Sequence, residues 1–236
     1  MKSVTDMTIS HLRRENGFTL MELLVASVVT MLVLGSAVAL TSQIQNGYRR
    51  QIENSAGEQE ARYAMEWIGR YLRGAGNNPF SVVESDCPGA NTDFFGIIID
   101  PDGDDVNDDI TLQMDSNPPD GKVGGEPPDC DQPNEHVTIS FCSEAKAAAA
   151  KCADAHTIQF LDEAVGDDAT TRTDAVIDAL EFSYLDSDHN LMVAPIAQAN
   201  IFYVQVHITI RTRTIDASSL QYDKRELTSE IRVRGR

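Results

Sequence analysis

The most constraining feature of the sequence is an apolar run near its N-terminus, from Phe18 to Leu40. Of its 23 residues, only Glu22 is charged. A helix rises about 1.5 Å per residue, so a run of this length spans the roughly 30 Å hydrocarbon core of a bilayer. A carboxylate near one end of such a span is costly, and by default it marks a functional residue. The run therefore predicts a single membrane-spanning helix with Glu22 as a candidate functional residue.

The residues on either side of the run predict its orientation. Arg13 and Arg14 precede it, and the positive-inside rule places a short basic N-terminal segment in the cytoplasm. Residues 34–39 could be stretched to fit a secretory cleavage site, but the run is longer than a usual signal core and leads into more helix-compatible sequence. A single-pass anchor with its N-terminus inside is the better interpretation.

Residues 17–24 read Gly-Phe-Thr-Leu-Met-Glu-Leu-Leu. This stretch resembles the prepilin processing motif of type IV pilins and type II secretion pseudopilins. The resemblance implies that a membrane prepilin peptidase cuts after Gly17 and N-methylates Phe18. It also implies that Glu22 meets the N-terminal amine of a neighbouring subunit during assembly, which would relieve the cost of a carboxylate in lipid. The alternative is a plain anchor with a coincidental glutamate.

Helix formers continue beyond the apolar run. Ala61, Met65, Ile68 and Leu72 recur at helical spacing and define one apolar face. A glycine-rich stretch and a proline follow at residues 74–79 and predict the end of the helix. We therefore expect a leader peptide over residues 1–17, one long helix over 18–76 that spans the membrane at about 18–40, and a β-rich domain over 77–236.

The second part of the chain has β-rich runs separated by turn clusters. Residues 144–151, with four consecutive alanines, favour a short helix. These elements predict an α+β fold, in which the long helix packs on an antiparallel sheet. The predicted strands lie at residues 94–99, 110–114, 137–141, 157–161, 180–185, 201–213 and 227–233.

Residues 61–76 resemble the second half of the long helix in PilW-type minor pilins. Residues 180–186 and 227–234 are similar to the late strands of that family. The J-type minor pseudopilins of type II secretion share this layout. The resemblance implies the α+β pilin fold.

The charge of −18 is concentrated in one part of the chain. Residues 84–135 hold fifteen acids and one base, Lys122. Such a surface repels phosphate groups, so we expect no nucleic-acid binding by the body.

All four cysteines follow the membrane run, on the side that is oxidising if the topology is right, so we expect disulfides. Three pairings are possible. Proximity in sequence favours Cys142–Cys152 and Cys87–Cys130. The paired spacing of a zinc site is missing, although His136 and His156 lie near cysteines.

Residues 100–109 read Asp-Pro-Asp-Gly-Asp-Asp-Val-Asn-Asp-Asp. Carboxylates at alternate positions of a tight loop can converge on calcium, which takes six to eight oxygen ligands. Two departures from the EF-hand pattern are Asp105 in place of the turn glycine and Thr111 in place of the twelfth carboxylate. The alternative is an acidic surface turn without a metal. The expected ligands of a structural calcium are Asp100, Asp102, Asp104, the Val106 carbonyl, Asp108 and Asp109.

No enzyme motif is evident in the sequence. The resemblance implies a non-enzymatic minor type IV pilin that travels from the inner membrane to a surface pilus. Its partners would be prepilin peptidase, other major and minor pilins and the inner-membrane assembly platform. The alternatives are a J-type pseudopilin of type II secretion and an anchored periplasmic calcium-binding module that does not assemble.

Overall fold

The computed structural model describes residues 17–83, 93–116, 119–125, 132–163, 166, 168–213, 215 and 220–233. The chain divides into two compact units, Met1–Arg49 and Arg50–Arg236. One helix, α1, covers Leu20–Gly74 and contributes to both units. In the described part of the first unit it is the sole secondary-structure element.

Among its described residues, the second unit contains the rest of α1, a short helix α2 and eight strands. Seven short, β-rich runs bounded by turns form most of these strands, because β-branched and aromatic residues favour the strand conformation. Helix α2 covers Glu144–Ala148. The strands are β1 (Ile97–Ile99), β2 (Asp109–Gln113), β3 (His136–Cys142), β4 (Thr157–Asp162), β5 (Thr170–Thr171), β6 (Ile177–Leu185), β7 (Tyr203–Arg211) and β8 (Lys224–Arg232).

The strands form two antiparallel sheets. The first has the order β1-β2-β3-β4-β5, and the second has the order β6-β7-β8. Each strand pairs with its neighbour in sequence, so hairpin connections build both sheets. The register of the first sheet places Asp109 opposite Ser140.

One hydrophobic core joins α1 to both sheets. The buried face of α1 begins at Gly57 and includes Ala61, Ile68 and Leu72. Small residues on this face allow close packing, since a Cβ atom added to Gly57 would lie 3.2 Å from the Cδ1 of Ile210 on β7. Trp67 packs edge-on against Phe160 of β4, with 6.1 Å between ring centroids. Helix and sheets therefore share a single core.

The expected α+β architecture is confirmed, and the antiparallel strands form two sheets. The alternating Val204, Val206, Ile208 and Ile210 of β7 are all buried, as their period of two predicts. Helix α2 is shorter than expected, because it ends at Ala148. Strand β5 was missed, since two exposed threonines carry no hydrophobic pattern.

Candidate functional site

The start of α1 is organised by Thr19 and Glu22. The backbone amide and the hydroxyl of Thr19 each donate to Oε2 of Glu22, at 3.1 Å. The Glu22 amide donates to the Thr19 hydroxyl at 3.2 Å. Thr19 precedes the first helical residue and Glu22 is the third, so the pair forms a capping box. Glu22 thus stabilises the helix start within its own chain.

The first part of α1 exposes its large apolar side chains, and Phe18 just before it is 86% exposed. The hydroxyl groups in this part bond back to the helix backbone. Ser27 donates to the Leu24 carbonyl at 2.8 Å, and Thr30 donates to the Ala26 carbonyl at 2.7 Å. A lipid environment requires every polar group to be satisfied internally, and these bonds meet that requirement. By length and composition, α1 is the one helix among the described residues that could cross a membrane.

The acidic loop, residues 100–109, connects β1 to β2. Its carboxylates fold it by accepting backbone amides. Asp100 accepts from the amides of Asp104 and Asp105, at 3.1 and 2.9 Å, and Asp104 accepts from the Val106 amide at 2.9 Å. Asp105 takes the left-handed conformation, with φ of 63°, at the position where glycine is usual in calcium loops. The loop therefore reaches a sharp turn without that glycine.

Lys146 of α2 forms ion pairs with the carboxylates of the acidic loop. Its Nζ lies 2.7 Å from Asp108, 3.2 Å from Asp102 and 3.4 Å from Asp104. Burial disfavours the charge of Lys146, but the hydrogen bonds and charges of Asp108 and Asp102 outweigh it and raise the lysine pKa. Three of the six loop carboxylates thus share one ammonium group.

A second carboxylate group lies beside the first. One oxygen from each of Asp100, Asp102 and Asp109 falls within 4.8 Å of the other two. Asp109 is only 2% exposed. Burial, followed by the charge of Asp102, raises the pKa of Asp109 to about 7. In the described part of the chain, Oδ1 of Asp109 has no hydrogen-bond partner.

A surface cleft of about 400 Å³ opens next to this group. Asp102, Asp109 and Lys146 line one part of it, and polar residues of β3 and β4, including Thr138, line another. Thr138 donates to Glu163, which also lies 3.5 Å from Nε2 of the buried His136. Burial lowers the pKa of His136, while the charge of Glu163 opposes this shift.

A disulfide links the chain on either side of helix α2. Cys142 and Cys152 are bonded, with Cα atoms 5.9 Å apart. The helix start is capped by Ser143, whose side chain accepts from the Lys146 amide at 3.2 Å. The disulfide and the cap together fix the segment that presents Lys146 to the acidic loop.

A family model described as the prokaryotic N-terminal methylation motif matches residues 12–38. The chain carries a prepilin-type N-terminus. This motif supports a place in the type IV pilin and pseudopilin superfamily. No curated protein and no solved structure matches the chain significantly.

The prepilin-type motif and the apolar helix fit a membrane-anchored, single-pass protein. Gly17 and Phe18 lie just before α1, and Glu22 lies in its first turn. The expected pairing of Cys142 with Cys152 is confirmed. Cys87 and Cys130 lie outside the described residues, so their pairing stays a prediction.

The structure divides the expected calcium ligands between two groups. Asp100, Asp102 and Asp109 lie together, and Asp104 and Asp108 face Lys146. Asp102 belongs to both groups, because it also lies 3.2 Å from Nζ of Lys146. Val106 contributes its amide to the loop, through the bond to Asp104. Sequence reasoning missed Lys146. The lysine lies 38 residues beyond Asp108, and no local pattern joins them.

Proposed function

We propose that the chain is a minor type IV pilin of the PilW type. Prepilin peptidase would cut it after Gly17 and methylate Phe18. The mature protein would stay in the inner membrane, with its N-terminus originally cytoplasmic, and then enter a pilus or prime its assembly. Other pilins and the inner-membrane assembly platform would be its partners. The role is structural, since the motif belongs to a structural family.

One observation carries the proposal: the methylation motif leads directly into a helix whose large apolar side chains are exposed. Exposed apolar surface on this scale needs lipid or other helices to cover it. A filament core of packed helices supplies such a cover, and the inner membrane supplies it before assembly.

Glu22 fits a second contact, to a neighbouring subunit. Both hydrogen bonds from Thr19 fall on Oε2 of Glu22. The other oxygen, Oε1, accepts no bond from the residues that the structure describes. An N-terminal ammonium of another pilin could approach it and offset the cost of the charge in an apolar setting.

The first experiment is the intact mass and N-terminal sequence of the protein from its native membrane fraction. The expected result is a chain that begins at N-methylated Phe18. A chain that still begins at Met1, in a cell with active prepilin peptidase, would overturn the proposal.

A pair of variants separates the two contacts of Glu22. Glu22→Gln removes the charge and keeps a side chain that suits a capping box, whereas Thr19→Val removes the cap and keeps the charge. We expect Glu22→Gln to lose incorporation into fibres and Thr19→Val to keep it, with both variants present in the membrane at normal levels. Normal incorporation of Glu22→Gln would contradict the intermolecular role.

The J-type pseudopilin of type II secretion is the nearest alternative, because it shares the N-terminal motif and the layout. Recovery of the protein in sheared surface fibres favours the pilus. Confinement to the periplasm, with a secretion defect on deletion, favours the pseudopilin. An anchored periplasmic calcium-binding module would join neither a pilus nor a pseudopilus. Its function would therefore survive Glu22→Ala.

A further inference from the structure

We propose that the acidic loop binds one calcium ion through Asp100, Asp102 and Asp109, at a position separate from the ammonium of Lys146. The role of the ion would be structural. The proposal does not depend on filament assembly, so the tests of the two are independent.

The first support is the geometry of the three carboxylates. Calcium binds oxygen at about 2.3–2.6 Å, so two oxygens on one ion are at most about 5 Å apart. One oxygen from each of Asp100, Asp102 and Asp109 lies within 4.8 Å of the other two. The three side chains therefore need little movement to share one ion. Water and further loop oxygens would complete its six to eight ligands.

The second support is a buried carboxylate oxygen of this group, on Asp109, that has no partner among the described residues. Oδ1 of Asp109 accepts no hydrogen bond from any described residue, and the same is true of the Tyr184 hydroxyl. Tyr184, on β6, is only 1% exposed. After burial, the charges of Asp109 and Asp100 are the largest influences that raise the pKa of Tyr184. Buried polar groups without a partner are rare in folded proteins, and a bound ion with its water is one explanation.

The third support is the charge left over after Lys146 is counted. The loop holds six carboxylates, and Lys146 supplies one positive charge to Asp102, Asp104 and Asp108. Asp100 and Asp109 have no ion pair with a described residue. An ion between them would offset the repulsion that the charge of Lys146 relieves only in part.

The cleft provides a path for the ion. Asp102 and Asp109 both line it, so a cation can reach the buried carboxylate from solvent. All the side-chain ligands are oxygens, which suits calcium better than zinc, whose sites are built mainly from sulfur and nitrogen ligands.

The test uses the full-length protein in detergent, with calcium chloride compared against EDTA. Calcium at about 100 times its dissociation constant should raise the Tm by roughly 5–10 °C. Titration calorimetry with calcium chloride should give one site per chain. An unchanged Tm would overturn the proposal, and an equal rise with magnesium would overturn the assignment to calcium.

Asp109→Asn is the decisive variant, because it keeps the shape of the side chain and removes the charge. The calcium-dependent rise in Tm should disappear, while the Tm in EDTA stays the same or rises because a buried charge is gone. Asp105→Asn is the matched control. It removes the same charge from the same loop, and asparagine tolerates the left-handed conformation that Asp105 adopts.

We expect Asp105→Asn to keep the calcium response. An equal loss in both variants would show charge screening instead of a site and would overturn the proposal. If Asp109→Asn does not fold, Asp100→Asn takes its place with the same expected result, since Asp100 is less buried than Asp109. A full calcium-dependent rise in Tm in a folded Asp109→Asn or Asp100→Asn variant would also overturn the proposal.

Discussion

The ammonium of Lys146 lies 2.7 Å from Oδ1 of Asp108, and it bridges α2 to the loop between β1 and β2. The lysine side chain is 14% exposed and that of Asp108 is 9% exposed. This pair is therefore shielded from solvent, unlike a typical surface ion pair. It gives the strongly acidic segment a cation from the chain itself.

Lys146→Met should lower the free energy of unfolding by about 2–3 kcal/mol. The variant keeps much of the aliphatic stem and leaves Asp102, Asp104 and Asp108 without their shared cation, which is costly for partly buried carboxylates. Chemical denaturation of the detergent-solubilised protein measures the change. Lys151→Met is the control, since it removes the same charge from an exposed residue near the end of the same segment. Equal destabilisation by both variants would contradict a specific role of Lys146.

The stability of the body should fall as the pH drops below about 6.5, in part because of His136. Burial holds the pKa of His136 below its usual 6.5 in the folded chain. At a pH between the lowered pKa of the folded chain and 6.5, the unfolded chain binds more protons than the folded chain, so acid favours unfolding. The contribution of neutral His136 to the free energy of unfolding is fully present above pH 6.5 and is lost as the pH falls through the pKa of the folded chain. The free energy of unfolding of His136→Gln, measured across this range, should depend less steeply on pH; an unchanged slope would rule out His136 as a source.

Truncation of two isoleucines on α1 should change the free energy of unfolding by very different amounts. Ile68 is fully buried, so Ile68→Ala should cost about 2–5 kcal/mol of unfolding free energy. Ile52 is exposed, so Ile52→Ala should change the same quantity by less than about 0.5 kcal/mol. Thermal unfolding followed by circular dichroism measures both. A large cost at Ile52 would mean that the first turns of the second unit pack against its body, contrary to the structure.

Removal of the disulfide with the pair Cys142→Ser and Cys152→Ser should lower the free energy of unfolding by about 2–3 kcal/mol, as expected for a short closed loop. The loss should couple to Lys146, because the same loop positions it. A double-mutant cycle with Lys146→Met measures the coupling. Strict additivity would show that the cystine and the ion pair act independently.

The sequence was enough to predict the long helix and most strands, because each has a strong local period. The face of Ala61, Ile68 and Leu72 is buried as its helical spacing requires. Nearer the start of the helix, Ile44, Tyr48 and Ile52 also recur at helical spacing, but they are exposed in the single chain. Periodicity thus identifies an apolar face, but it does not identify what covers that face.

The candidate calcium site was predicted less completely, for a physical reason. The spacing of the loop indicated that its carboxylates converge, but local spacing cannot separate those that meet Lys146 from those that meet one another. The capping role of Glu22 was also missed, although Thr-x-x-Glu before an apolar run is its sequence signature.

The ring closed by Cys142 and Cys152 makes Lys146 a cation that dilution cannot remove. A dissolved ion leaves its ligands when the surrounding medium is depleted of it, whereas a lysine on a covalently closed segment keeps a constant effective concentration at the loop. Half of the acidic loop therefore has a permanent counter-charge, and the other half has only what the medium supplies. In a medium depleted of calcium, the loop would therefore keep the first counter-charge and lose the second.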